Sequence, residues 1–366
     1  MSLGLRIFFF ALLAVAMPLG YAHHVTPDHA EAFFRLHIFL FNLAGGGSLI
    51  LWHSQGRGSL KPASAGFLAL ALAFSLLVFL GRMNAAAAFL AAGAVMVERV
   101  RTARFGFLPW AFFRRVSVAD KFHLASLLCL SIGMVLCAAA MVNQATFHFP
   151  VPEKLTLNTF FLGFSFPLSL ITMHLLFSLS RPLVRPFGRV LAQVLFWVLN
   201  LGVISFFVFI LAEWTGAELF ISLVLSAAVV GLLSLFATVG RLGQEKGLLL
   251  SGLIFLFLTA FTGVVYIVLA LAGPYEDLSP LLLKTHAFLS LYGWNLSGLL
   301  VLTRKEDFPL AWPVLPLVGL HWLAVGFLAP AGDRVAGLAW AAVILYTLFL
   351  GAGLFLPQAG KRPREG

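Results

Sequence analysis

Arg35-Leu36-His37 opens a run of Ile38, Phe39, Leu40, Phe41 and Asn42 that leads into Gly45-Gly46-Gly47. Lys284-Thr285-His286 opens a second run, through Ala287, Phe288 and Leu289 to Tyr292-Gly293-Trp294-Asn295. In each run a cation is followed two residues later by a histidine and then by an apolar stretch. Imidazole is a good iron ligand, and two imidazoles fill both axial positions of a planar metal cofactor. Arg35 and Lys284 at the aqueous edge suit carboxylates on such a cofactor. Phe39, Phe41, Phe288, Tyr292 and Trp294 offer ring contacts, although a chain with 38 Phe supplies aromatic neighbours by chance. The chemistry requires both histidines at one depth, so the elements that carry them decide it.

Those elements are membrane helices. The chain is 61% hydrophobic and 10% charged, where a soluble domain carries about 25% charged residues. Hydrophobic segments fall at 5–22, 34–52, 64–81, 84–98, 122–143, 156–180, 190–212, 217–239, 248–272, 281–303, 310–330 and 334–357. Most approach the ~20 residues that cross a bilayer. The expected fold is all-α, a polytopic bundle of about twelve helices in contact with lipid. Residues 1–22 are either its first helix or a signal peptide, since Arg6, an apolar run and Gly20-Tyr21-Ala22 fit both; cleavage leaves eleven. A single transmembrane domain spans 23–357, and 358–366 form a basic tail.

The net charge of +10 points to topology and away from nucleic acid. Arg99, Arg101, Arg104, Arg114, Arg115 and Lys121 gather between two segments. Alternate loops carry Arg181, Arg185 and Arg189, then Arg241 and Lys246, then Arg304 and Lys305, then Lys361, Arg362 and Arg364. The other loops are acid-leaning, with Glu153 and Lys154, Glu213 and Glu218, Glu276 and Asp277, and Asp333 and Arg334. The positive-inside rule makes the basic side, with the C-terminus, cytoplasmic, and the membrane a cell's inner one. Cys129 and Cys137 lie in one segment, about 12 Å apart along a helix, too far for a disulfide.

This topology sorts the histidines. His37 and His286 fall just inside the outer boundary, on the second and tenth segments. His53 and His123 fall at the cytoplasmic boundary, where an imidazole reaches headgroups or water, with His174 slightly deeper on that side. His321 is mid-membrane, suited to a hydrogen bond with a neighbouring helix or to a ligand role. His23, His24, His29 and His148 lie in outer loops, where His23-His24 beside an amine can bind copper.

At His37 and His286 the chain resembles the heme-copper oxidase subunit I superfamily. Arg35-Leu36-His37 with the following Phe, Asn and glycine run is similar to helix two of the C-type oxidases and nitric oxide reductases. His286-Ala287 before Gly293-Trp294 is similar to their helix ten. The resemblance implies a twelve-helix core and a low-spin heme b held by His37 and His286, with Arg35 and Lys284 beside it. It also implies respiratory-chain partners such as other subunits or a cytochrome. The family's copper and high-spin heme ligands are missing: the sixth segment has His174 alone, the seventh none, and the tenth only His286. NnrS-like proteins are a second relative, but Thr303-Arg304-Lys305-Glu306 stands where their Gly-His-Thr-Gly-Arg run would fall.

The expectation is therefore electron transfer, or a respiratory or nitrogen-oxide role, without an oxygen-reducing site of its own. The competing readings are a transporter, favoured by Asn42, Asn200 and Asn295 and by breaks at Pro167 and Pro316, and a non-catalytic subunit or assembly factor of a respiratory complex. Nucleophilic and paired-carboxylate catalysis lacks residues, since the 14 acids sit almost wholly at helix ends and in loops.

Overall fold

A computed structural model of the chain describes all residues except 57, 152, 182–185, 274–278 and 361–366, and only the backbone of 153–154, 156–162 and 279–280. Arg185, Glu276, Asp277, Lys361, Arg362, Arg364 and the side chains of Glu153 and Lys154 thus lie outside the description. The rods, in order, are α1 Leu3–Gly20, α2 Pro27–Ser54, α3 Pro62–Phe79, α4 Met83–Phe105, α5 Val118–Phe147 and α6 Glu153–Ser178. They continue as α7 Pro186–Leu211, α8 Thr215–Val239, α9 Gln244–Ala272, α10 (Ser279–Phe288, Leu289–Asn295 and Leu296–Arg304 end to end), α11 Val314–Gly332 and α12 Ala336–Phe355. Among the described residues no strand forms. Ten of the rods, α6 and α10 excepted, are apolar over a length that crosses a bilayer. The chain is an all-α, multi-pass membrane protein, as its hydropathy predicts.

Several rods run past the apolar segments. α4 continues to Phe105, beyond the predicted end at 98, because its charges are satisfied in place. Arg101, 3% exposed, pairs with Glu98 at 2.6 Å and donates to the carbonyls of Gly106 and Phe107 that follow the helix end. Ser131 of α5 donates to the same Glu98 at 2.5 Å. Arg304 does similar work at the end of α12, donating to Gly353, Leu354 and Leu356 and pairing with Asp307 at 2.9 Å. A cation there meets carbonyls that a helix leaves without partners.

The chain forms two compact units, Met1–His174 and Leu175–Gly366. In the first, backbones approach closely where side chains vanish. A Cβ on Gly133 of α5 would lie 2.7 Å from the Gly163 carbonyl oxygen of α6. One on Gly46 of α2 would lie 2.5 Å from Leu168 of α6. In lipid, where water does not drive apolar association, such small-residue contacts carry helix packing.

Each unit also contains a helical hairpin of one design. α1 precedes α2 in the first unit, and α9 precedes α10 in the second. In each, the helix loosens into π-helical turns just after the histidine, over Phe39–Gly47 and over Leu289–Asn295. With that register, Arg35-Leu36-His37-Ile38-Phe39-Leu40 matches Lys284-Thr285-His286-Ala287-Phe288-Leu289. The likeness of spacing seen in the sequence thus extends to the π-helical turns that follow.

Gly133→Val should lower the melting temperature of detergent-solubilised protein. Forcing a side chain against an adjacent backbone costs about 1–3 kcal/mol or more. Gly319→Ala, whose Cβ meets nothing within 4 Å, should leave it unchanged or raise it.

Candidate metal centre

The helix packing of the first unit brings three histidines together. His53 ends α2, His123 opens α5 and His174 lies in the last turns of α6. One ring nitrogen from each lies within 4.8 Å of the others. His53 Nε2 and His174 Nε2 are 3.2 Å apart, and the His123 ring centroid is 5.3 Å from that of His53 and 4.8 Å from that of His174. Among the described residues no Asp, Glu or Cys joins this group.

These rings pack against one another inside the first unit, where the interfacial expectation for His53 and His123 has them turned to headgroups or water. His53 is 9%, His123 0% and His174 7% exposed. The reason is that α2, α5 and α6 converge at the Gly46–Leu168 and Gly133–Gly163 contacts, which brings the three histidines on them together. Burying polar imidazoles this way costs free energy unless each finds a partner.

The partners fix the tautomers. His174 Nδ1–H donates to the Ala119 carbonyl at 2.9 Å, so its Nε2 carries a lone pair. Ser54 Oγ donates to the Ile50 carbonyl at 2.7 Å and lies 2.6 Å from His123 Nε2. With its proton so directed, the hydroxyl accepts from His123 Nε2–H. That leaves His123 Nδ1, buried and without a hydrogen-bond partner, holding a lone pair. A backbone carbonyl on one nitrogen of His174 and a hydroxyl on one of His123 is the kind of arrangement that orients metal ligands.

The three side chains suit a transition-metal ion. A tetrahedron with metal–nitrogen bonds of about 2.0–2.1 Å has edges of about 3.3 Å, and the His53–His174 separation already equals one. The His123 nitrogen, within 4.8 Å of the other two, would have to close on them to complete the site. Three neutral nitrogens match zinc, copper, iron or nickel, and leave further positions open.

His37 and His286 fall in different units and are described separately. His37 is 5% exposed; its ring meets Phe34 edge-on at 4.9 Å, and a Cβ on Gly20 of α1 would sit 3.5 Å from its Nδ1. His286 Nδ1–H donates to the Thr259 carbonyl at 2.9 Å, and a Cβ on Gly263 of α9 would sit 3.3 Å from its ring. Each histidine thus rests on a glycine of the helix before it. Arg35 is ion-paired with Glu31, beside a cavity of about 130 Å³ that Phe39 and Ser75 also line. Lys284 pairs with Asp333 at 2.6 Å. In the outer loop, His23 and His24 bring their rings to 4.1 Å.

His321 is a structural residue. Its Nε2–H donates to the Tyr292 carbonyl at 2.7 Å, within the π-helical turns of α10, and its ring stacks on Phe349 at 4.2 Å. Of its two expected roles, the hydrogen bond to a neighbouring helix is the one observed. His321→Leu should cost about 1–3 kcal/mol by stranding that carbonyl, read as a lower melting temperature, while His321→Gln should recover part of the loss.

Sequence reading passes over the three-histidine group because its members are far apart in the chain and follow no ligand spacing. The available signal was their common placement at the basic end of three helices. Comparison with models of known protein families and with curated proteins gives no match.

Proposed function

We propose that the chain is a multi-pass membrane metalloprotein whose working centre is the tris-imidazole group of His53, His123 and His174. The observation that carries this reading is that one ring nitrogen from each of three buried histidines lies within 4.8 Å of the others, two of them 3.2 Å apart. Structural zinc sites close with four protein ligands, whereas three ligands and an open position characterise sites where a metal does chemistry. A resident copper, iron or zinc ion would act there as redox centre or Lewis acid. By the loop charges, the centre faces the cytoplasm from within an inner cell membrane, and the C-terminus shares that side. Purified protein should carry about one transition-metal ion per chain by elemental analysis. His53→Ala, His123→Ala and His174→Ala should each lose it while eluting as folded protein. Full metal content in all three would end the proposal.

A second reading has separate support. His286 donates its Nδ1 proton to a carbonyl, which leaves Nε2 as the ligand atom, and glycines back both His286 and His37 in matching hairpins. This favours heme b held between His37 and His286, six-coordinate and hence suited to electron transfer within a respiratory or nitrogen-oxide system. Heme propionates would then compete with Glu31 for Arg35 and with Asp333 for Lys284. The purified protein should show a b-type absorption spectrum that His37→Ala and His286→Ala each abolish; absence of a Soret band in the parent protein would exclude it.

A further inference from the structure

The electrostatics of the three-histidine centre ask for something that no side chain there supplies. A divalent ion on three neutral imidazoles keeps its whole charge, in a place where an uncompensated charge is costly. No carboxylate or thiol joins the group. The two acids nearby in sequence are already engaged: Glu98 with Arg101 and Ser131, and Asp120 with the Ser117 hydroxyl.

What does stand at the rim is another cation. Arg104 Nη1 donates to the Ser54 carbonyl at 3.1 Å. Ser54 follows His53 in the chain, and its hydroxyl meets His123. The Arg104 guanidinium also lies over the Phe105 ring at 5.4 Å, and that ring meets His123 edge-on at 5.4 Å. Arg104 is itself exposed, so it joins the buried centre to water. Lys121 lies two residues before His123, and Arg114 and Arg115 are exposed in the same connection. A rim with an excess of one sign raises the local concentration of the opposite charge. It repels metal cations in transit and draws in anions.

We propose that the metal at this centre takes a small monovalent inorganic anion from solution in its open coordination position, with Arg104 as the anion's charge partner. The proposal rests on the metal-centre reading above. It assigns Arg104 to binding: the guanidinium keeps its hold on Ser54 with one nitrogen and offers the remaining N–H groups to the anion. The anion neutralises part of the metal's charge, which the protein's own ligands leave intact.

The test uses full-length protein in detergent, loaded with cobalt(II) so that the visible d–d bands report coordination, and azide as the probe. Azide should shift the bands saturably. Arg104→Gln should retain one cobalt per chain yet bind azide about tenfold more weakly, the effect of losing one favourable charge contact. Arg104→Lys, which keeps the charge, should stay within about threefold of the parent, since Lys offers a point charge in place of the planar fork. Cobalt-loaded protein whose spectrum ignores azide would overturn this inference and leave the metal centre standing, as would Arg104→Gln binding azide as tightly as the parent. Protein that retains no cobalt would overturn the metal centre itself, and the anion site with it.

Discussion

The backbone-to-backbone approach of Gly133 and Gly163 leaves no room for a side chain between α5 and α6. Gly46 brings α2 against α6 under a similar constraint. In a membrane these contacts replace the hydrophobic driving force that water would provide. They also have a chemical consequence. Three helices held so close enclose whatever side chains stand at their ends, and here those are three imidazoles. Packing thus makes the pocket dry, and dryness makes each imidazole's hydrogen bond obligatory.

Those obligations then decide the chemistry. The carbonyl of Ala119 takes a proton from His174 and the hydroxyl of Ser54 one from His123, and each ring keeps a second nitrogen with a lone pair. His321 also buries an Nδ1 without a hydrogen-bond partner, but among the described residues it belongs to no three-ligand group. Its Nε2 serves a carbonyl that the π-helical turns of α10 release, and its ring is stacked against Phe349, so packing accounts for it.

The twelve helices were legible because hydropathy is a collective signal, repeated over about twenty residues at a time. Their ends were not. Arg101 and Arg104 look like loop residues by charge, yet α4 runs through both because Glu98 and nearby carbonyls satisfy Arg101 within the helix. The π-helical turns after His37 and His286 were also hidden, since they depend on a few glycines and aromatics in a chain full of both. His37 and His286 were conspicuous through local spacing; His53, His123 and His174 have none. Each taken singly is an ordinary boundary histidine, and only the convergence of α2, α5 and α6 turns them into a set. Topology did place all three at one end, which is as far as a one-dimensional reading carries.

X-ray absorption at the metal edge of the purified protein tests the central claim most directly. The account predicts a first shell containing three imidazole nitrogens at about 2.0–2.1 Å, lost together with the edge when His174 is replaced. A first shell of sulfur, a shell unchanged in the His174 variant, or no metal edge at all would contradict it.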